Sequence, residues 1–187
     1  DTPAETDAPS AGPVPSSWGH VVFDRVTFSY RPGTPIIRDV SLDAKPGQMI
    51  ALVGPTGAGK TTIINLLTRF YEIDGGAILV DGVDVRDIAK PLLRRKIGLV
   101  LQDTFLFSAT VRDNIRYGRL DASDDDVVEA AKLADADHCI RQLHHGCATM
   151  LAERAAHLSQ GQRQLLALAR TLLAEPALLV LDAAPRR

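Results

Sequence analysis

A chain of 187 residues with 45% hydrophobic content is long enough for one domain and apolar enough to bury a core, which excludes a wholly disordered polypeptide. The formal net charge of -2, with acids and bases mixed along the sequence, offers no basic field to a nucleic-acid backbone and argues against DNA or RNA as partners. Two cysteines, Cys139 and Cys147, lack Cys-x-x-Cys spacing, exclude a multi-bridge framework and suit a reducing compartment.

Residues 1–18 carry Pro3, Pro9, Pro13 and Pro15 among small polar and acidic residues, a composition of a linker; they hold neither the basic nor the apolar region of a signal peptide. From Val21 to Leu42, β-branched and aromatic residues alternate imperfectly with polar ones around Arg31-Pro32-Gly33, which predicts two antiparallel strands. Pro46-Gly47 turns the chain into Met49–Val53, an unbroken apolar run expected to be a strand buried on both faces, and a helical pattern follows from Lys60 to Phe70. Ala77–Val80, Asp81-Gly82 and Val83–Val85 read as a hairpin, because Asp-Gly accepts the positive backbone angles of a tight turn. Ile97–Leu101 and Ala177–Leu181 are two further expected buried strands.

Between them the pattern is helical, with Ser123-Asp124-Asp125-Asp126 placed as an N-terminal cap whose acids face the positive helix end. The run Leu165–Ala184 is broken by Arg170, Glu175 and Pro176 and so does not read as a membrane span. His138, Cys139, His144, His145 and Cys147 are close in sequence, but their spacing fits no ordinary structural zinc site.

Chemistry concentrates in three places. Gly54-Pro55-Thr56-Gly57-Ala58-Gly59-Lys60-Thr61 fits G-x-x-x-x-G-K-[ST], in which glycines let consecutive backbone N–H groups converge on phosphate oxygens at a helix N-terminus. In that pattern Lys60 places positive charge at the β and γ phosphates of ATP, Thr61 offers its hydroxyl to Mg2+, and Thr62 on the first helical turn can donate to phosphate. Asp182 ends an apolar run, where a second carboxylate would serve the Mg2+ shell. Leu158-Ser159-Gln160-Gly161-Gln162 precedes an amphipathic run; Ser159 and Gln162 make a capping box, and a glycine beside a helix N-terminus is also an anion site.

These motifs resemble the ATP-binding cassette (ABC) family, whose signature is Leu-Ser-x-Gly-Gln, and the similarity covers nearly everything after the linker. Ile37–Leu42, Pro46-Gly47-Gln48, Arg69-Phe70-Tyr71 with Asp74-Gly75-Gly76, and Thr104–Ser108 with Asp113-Asn114-Ile115 are similar to bacterial multidrug or lipid exporter half-transporters. The resemblance implies an α/β fold: a P-loop NTPase core with a parallel sheet, an N-terminal antiparallel β subdomain and an inserted helical signature subdomain at about 103–160. A cassette domain over 19–187 would then lack the C-terminal part of its core.

It further implies that two cassettes, alike or different, sandwich two ATP molecules head to tail, with Ser159, Gly161 and Gln162 of one chain against the ATP of the other. Tyr30 matches the aromatic that stacks on adenine, although an aromatic ending a strand is more often core. Gln102 matches the glutamine that reaches Mg2+ and the attacking water. Met150–Ala156 falls where exporters touch their transmembrane coupling helices, with Ala152 and Ala155 in place of glycines. The implied location is the cytoplasmic face of a plasma or inner membrane, reached through a transmembrane domain outside this sequence.

The chain departs from the pattern at one chemical group: Ala183 stands where the family has the glutamate that polarises the attacking water. The switch histidine of the family lies past Arg187. Three readings follow: an exporter cassette that hydrolyses ATP, a truncated fragment that binds ATP without hydrolysing it, and another P-loop enzyme such as a nucleotide kinase. The signature and Gln102 argue against the last. Without the glutamate, ATP binding and turnover are expected to separate.

Overall fold

Four residues of the first predicted strand, Val21, Phe23, Val26 and Phe28, are buried, and the step of three between Phe23 and Val26 is what spoils its alternation. In the computed structural model, which describes residues 19–55, 57–102, 104–151 and 158–182, Asp24 and Arg25 supply an irregularity in the ladder at that step, and Arg25 takes a positive φ of 46°. The predicted linker lies outside the described residues. Strand β1 (Val21–Phe28) is central, pairing antiparallel with β2 (Ile37–Ala44) on one side and β3 (Gly75–Val80) on the other. The registers run Val21↔Ala44 and Val21↔Val80, and β4 (Val83–Asp84) completes the order β2-β1-β3-β4. The expected hairpin is present: Asp81 and Gly82 have φ of 49° and 81°, the two positive angles that a two-residue turn of this hand needs.

Met49–Val53 departs from expectation. No described residue forms a ladder with this run, and Met49 and Val53 are 95% and 92% exposed. Hydrophobicity marks a candidate for a parallel strand, but the strand exists only through neighbours that pair with it.

Helix α1 (Lys60–Leu67) stops three residues short of the predicted Phe70. Thr68 returns its hydroxyl to the Ile64 carbonyl, and Arg69 leaves helical space with φ 53°. The buried Arg69 guanidinium donates to the carbonyls of Val85 (3.0 Å) and Ile88 (2.9 Å) and pairs with Glu72 (2.9 Å), which ties the helix end to the segment after β4. Helix α2 (Lys90–Lys96) follows.

Gly59 caps α1 with φ 88°, and a Cβ there would approach Ile37 Cδ1 on β2 to 2.7 Å. Gly59→Ala is therefore expected to cost about 1–3 kcal/mol from left-handed strain and overpacking, read as a lower denaturant midpoint at unchanged slope.

The chain divides into two compact units between Ile97 and Gly98. In the second, β5 (Ile97–Val100) pairs with β6 (Leu178–Leu181) in a parallel sheet, and the connection carries helices α3 (Val111–Arg116), α4 (Asp124–Leu133), α5 (Asp137–Arg141) and α6 (Gln160–Leu173). Strand β6 is covered less than expected, with Leu179 and Leu181 at 37% and 55% exposure, since among the described residues it has β5 as its one neighbour.

Helix α6 is the spine of this unit: Leu166, Ala169 and Leu173 share one core with Val111 and Ile115 of α3 and Val127 and Ala130 of α4. After α3, Gly118 lies so close to α6 that a Cβ would run into the Arg170 carbonyl. Ser123 caps α4 as expected, its hydroxyl accepting from the Asp126 N–H while the Asp126 carboxylate accepts from the Ser123 N–H. That backbone hydrogen bond, helped by the Ser123 hydroxyl, holds the Asp126 carboxyl below its ordinary value. Among the described residues no helix is long and apolar enough to cross a membrane.

Candidate functional site

The glycine loop behaves as its residue types require. Gly57 and Gly59 both take positive φ, 86° and 88°, a geometry costly for residues with a Cβ. Gly59 has no side chain with which to cap α1, so the first N–H groups of that helix face the loop without a side-chain acceptor, where a phosphate oxygen is the complementary partner. Lys60 Nζ donates to the carbonyls of Gly54 (2.6 Å) and Pro55 (2.9 Å), which folds the ammonium over the loop. Gly54, Pro55, Ala58 and Thr61 are exposed, and Thr56 lies outside the described residues.

Thr62 differs from its neighbour Thr61: it is 6% exposed, and its Oγ1 lies 3.2 Å from Tyr30 OH. Tyr30 itself is 44% exposed and does not belong to the core; it lies two residues past the end of β1. Its ring meets Phe28 edge-on at 4.8 Å and 85°, and Tyr71 edge-on at 5.0 Å and 86°. Thus Tyr30 and Thr62, in the first turn of α1, meet in the first unit. Tyr71 joins them although it stands 41 positions from Tyr30, a separation at which no periodicity relates two side chains.

The remaining predicted residues belong to the second unit. The Asp182 N–H donates to the Val100 carbonyl at 2.9 Å, so half-buried Asp182 follows the end of β6 beside the end of β5. Gln102 follows β5 by two residues, is exposed, and accepts at its carbonyl from Gln164 of α6 at 3.5 Å. Gln102 and Asp182 therefore leave the carboxyl end of the same pair of strands.

The capping box at the signature is formed on both sides: the Ser159 N–H donates to Gln162 Oε1 (2.8 Å), and the Gln162 N–H donates to Ser159 Oγ (3.2 Å). Ser159 Oγ accepts in the cap and keeps its own proton for a further acceptor. Among the described residues, a Cβ at Gly161 would meet only Ser159 Oγ at 3.9 Å, so their packing does not demand glycine there. Residues 152–156 of the expected coupling segment, and Ala183, lie outside the described residues.

Sequence gave no warning of the side-chain knot behind this half. Asn114 on α3 is 1% exposed; its Oδ1 accepts from the Phe107 N–H (2.8 Å) and from Arg170 (3.0 Å), and its amide donates to the carbonyls of Phe107 (2.9 Å) and Thr110 (3.0 Å). Arg170 of α6 also donates to the carbonyls of Asn114 (2.8 Å) and Phe105 (3.0 Å) and lies 5.3 Å from the Phe107 ring centre. Burial holds its guanidinium below the ordinary value. Burial also pushes the thiols of Cys139 and Cys147 up, away from the thiolate that a metal would need.

Residues 37–185 match the sequence model of the family described as "ABC transporter". Among curated relatives, the chain is 49% identical over 184 residues to the "Fatty acid ABC transporter ATP-binding/permease protein" of Mycobacterium bovis, covering 98% of this chain and 29% of that protein. It is 46% identical over 178 residues to human "ATP-binding cassette sub-family B member 6", covering 95% of this chain and 21% of that one. Among solved structures, that of "a bacterial Atm1-family ABC exporter with ATP bound" superposes with a TM-score of 0.89 at 41% identity, over 95% of this chain and 31% of its own. This chain thus spans less than a third of the length of each of these relatives. With its phosphate loop, signature cap and paired strand ends, the chain belongs to the ABC transporter family, as an ATP-binding domain of exporter type.

Proposed function

We propose that this chain powers the export of a substrate across a membrane by binding ATP, and that it does so in a head-to-tail pair of such domains attached to transmembrane domains. The observation that carries the reading is the glycine-capped α1, with Lys60 folded over a loop of positive-φ glycines, in a chain that also presents an intact signature cap at Ser159–Gln162. One chain then contributes Gly54–Thr62 and Tyr30 to a nucleotide, and its partner contributes Ser159, Gly161 and Gln162. Gly161 supports this division, because among the described residues only Ser159 Oγ comes within 4 Å of where its Cβ would be, which suits a backbone that approaches a phosphate.

Thr61 in the first unit, and Gln102 and Asp182 in the second, each offer a side-chain oxygen, the donor that suits Mg2+, a hard cation. When bound, that ion would neutralise charge developing on the β and γ oxygens. In this reading Lys60 and the loop N–H groups bind and orient the triphosphate, Tyr30 covers the base, and Gln102 orients a water. Ala183 brings no carboxylate to that water, which favours an ATP-binding fragment with slow turnover as the second reading.

Head-to-tail closure predicts that Mg-ATP drives self-association. In sedimentation velocity the chain is expected to shift from monomer to dimer when Mg-ATP is added, and to return on exchange for Mg-ADP. Saturating ATP without any change in sedimentation would count against the sandwich.

A further inference from the structure

Two hydroxyls with separate expected tasks meet in the first unit. Tyr30 OH, on the residue read as the base platform, lies 3.2 Å from Oγ1 of Thr62, a residue of the phosphate-binding helix. A hydroxyl donates once and accepts twice, so Thr62 can accept a hydrogen bond from Tyr30 and still donate its own to a phosphate oxygen. The Tyr30 ring is also held by its neighbours: the rings of Phe28 and Tyr71 stand nearly perpendicular to it at 85° and 86°, while 44% of the residue stays exposed. Without these contacts, a tyrosine just past a strand would lose rotamer freedom only when the base arrived, and that cost would fall on binding.

We propose that the Thr62 hydroxyl and the Tyr71 ring are positioning residues for the base of the nucleotide: they hold Tyr30 in its stacking orientation, so that an aromatic base and its triphosphate are read as one linked ligand. The proposal rests on Tyr30 being the base platform. It assigns Thr62 a task besides phosphate contact, and it gives Tyr71 a task where sequence indicated none.

The test measures dissociation constants of Mg-ATP and of Mg-tripolyphosphate, which has no base, for the wild type, Tyr30→Phe, Thr62→Val and the double variant. Thr62→Val keeps the shape of a buried side chain and removes the hydroxyl. It is expected to weaken both ligands. With ATP its loss is about three- to tenfold larger beside Tyr30 than beside Phe at that position, the size of one hydrogen bond in a double-mutant cycle. With tripolyphosphate the two backgrounds lose equally. Additive losses with ATP, or the same non-additivity with tripolyphosphate, overturn the coupling.

Tyr71→Leu is expected to lower the ratio of ATP to tripolyphosphate affinity several-fold and Tyr71→Phe to restore it, because the ring and not its hydroxyl does the holding; a ratio unmoved by Tyr71→Leu overturns that part. Tyr30→Leu tests the platform itself and is expected to lower the ratio by about 5- to 100-fold, the range of base–aromatic stacking. If that ratio falls while the Tyr30–Thr62 cycle is additive, the platform stands and the positioning fails. If it does not fall, both are lost.

Discussion

Lys60→Met is expected to weaken Mg-ATP binding by about 10- to 150-fold, the equivalent of one or two charge-assisted hydrogen bonds to phosphate. The fold should be nearly untouched, because Met keeps the aliphatic stem and the two carbonyls that Lys60 Nζ now engages, on Gly54 and Pro55, are exposed and can take water instead. Stability within about 0.5 kcal/mol of wild type is therefore the companion expectation. Displacement of a fluorescent ATP analogue measures the first and urea denaturation the second. Raising ionic strength should narrow the difference between wild type and variant, since the missing contribution is a charge near the surface. Wild-type affinity in the variant at low salt would remove the loop from ATP binding.

Asn114→Ala carries the largest expected loss of stability, about 3–4 kcal/mol. Truncation deprives the Phe107 N–H and one Arg170 donor of their acceptor, leaves the Phe107 and Thr110 carbonyls short of a donor, and opens space at a position 1% exposed. Water has little access to repair the damage, which is why a polar residue at this site costs more to lose than a surface hydrogen bond. Arg170→Met should be milder, about 1–3 kcal/mol, because the guanidinium is half-buried and removing it leaves acceptors rather than donors wanting. Urea midpoints give both values, and hydrogen exchange at the Phe107 amide should accelerate in Asn114→Ala. A loss under about 1 kcal/mol there would mean that segment 105–110 is held by its apolar contacts instead.

Local rules made much of this chain legible. Asp81-Gly82 fixed a hairpin, Ser123 with Asp126 and Ser159 with Gln162 fixed two helix starts, and each depends on residues within four positions of one another. Strand order and the meaning of Met49–Val53 were not legible, because pairing is decided by partners far along the chain. The early end of α1 was hidden for the same reason: Arg69 looks like any polar residue on a helix until the carbonyls of Val85 and Ile88 are near it.

The candidate site divides in the same way. Gly57, Gly59, Lys60 and Thr61 are adjacent in sequence and announce their chemistry together. Tyr30 needed the family resemblance to be noticed and the structure to show that it is half-exposed rather than core. Tyr71 falls in a stretch that carries the family resemblance but implied no task, Arg170 carries no local signature, and their partners are 41 and 56 positions away. Gln102 and Asp182 are joined in place only by the pairing of β5 and β6.

The position of α6 as the spine of the second unit bears on synthesis. Val111 and Ile115 on α3 and Val127 and Ala130 on α4 complete their shared core only with Leu166, Ala169 and Leu173. From Ala130 to Leu173 is 43 residues, which a ribosome adds in roughly 2–9 s, and for that interval the apolar faces of α3 and α4 lack the cover that α6 gives them. A nascent polypeptide halted before α6 is thus a ready client for holdase chaperones, and one halted after it should release them.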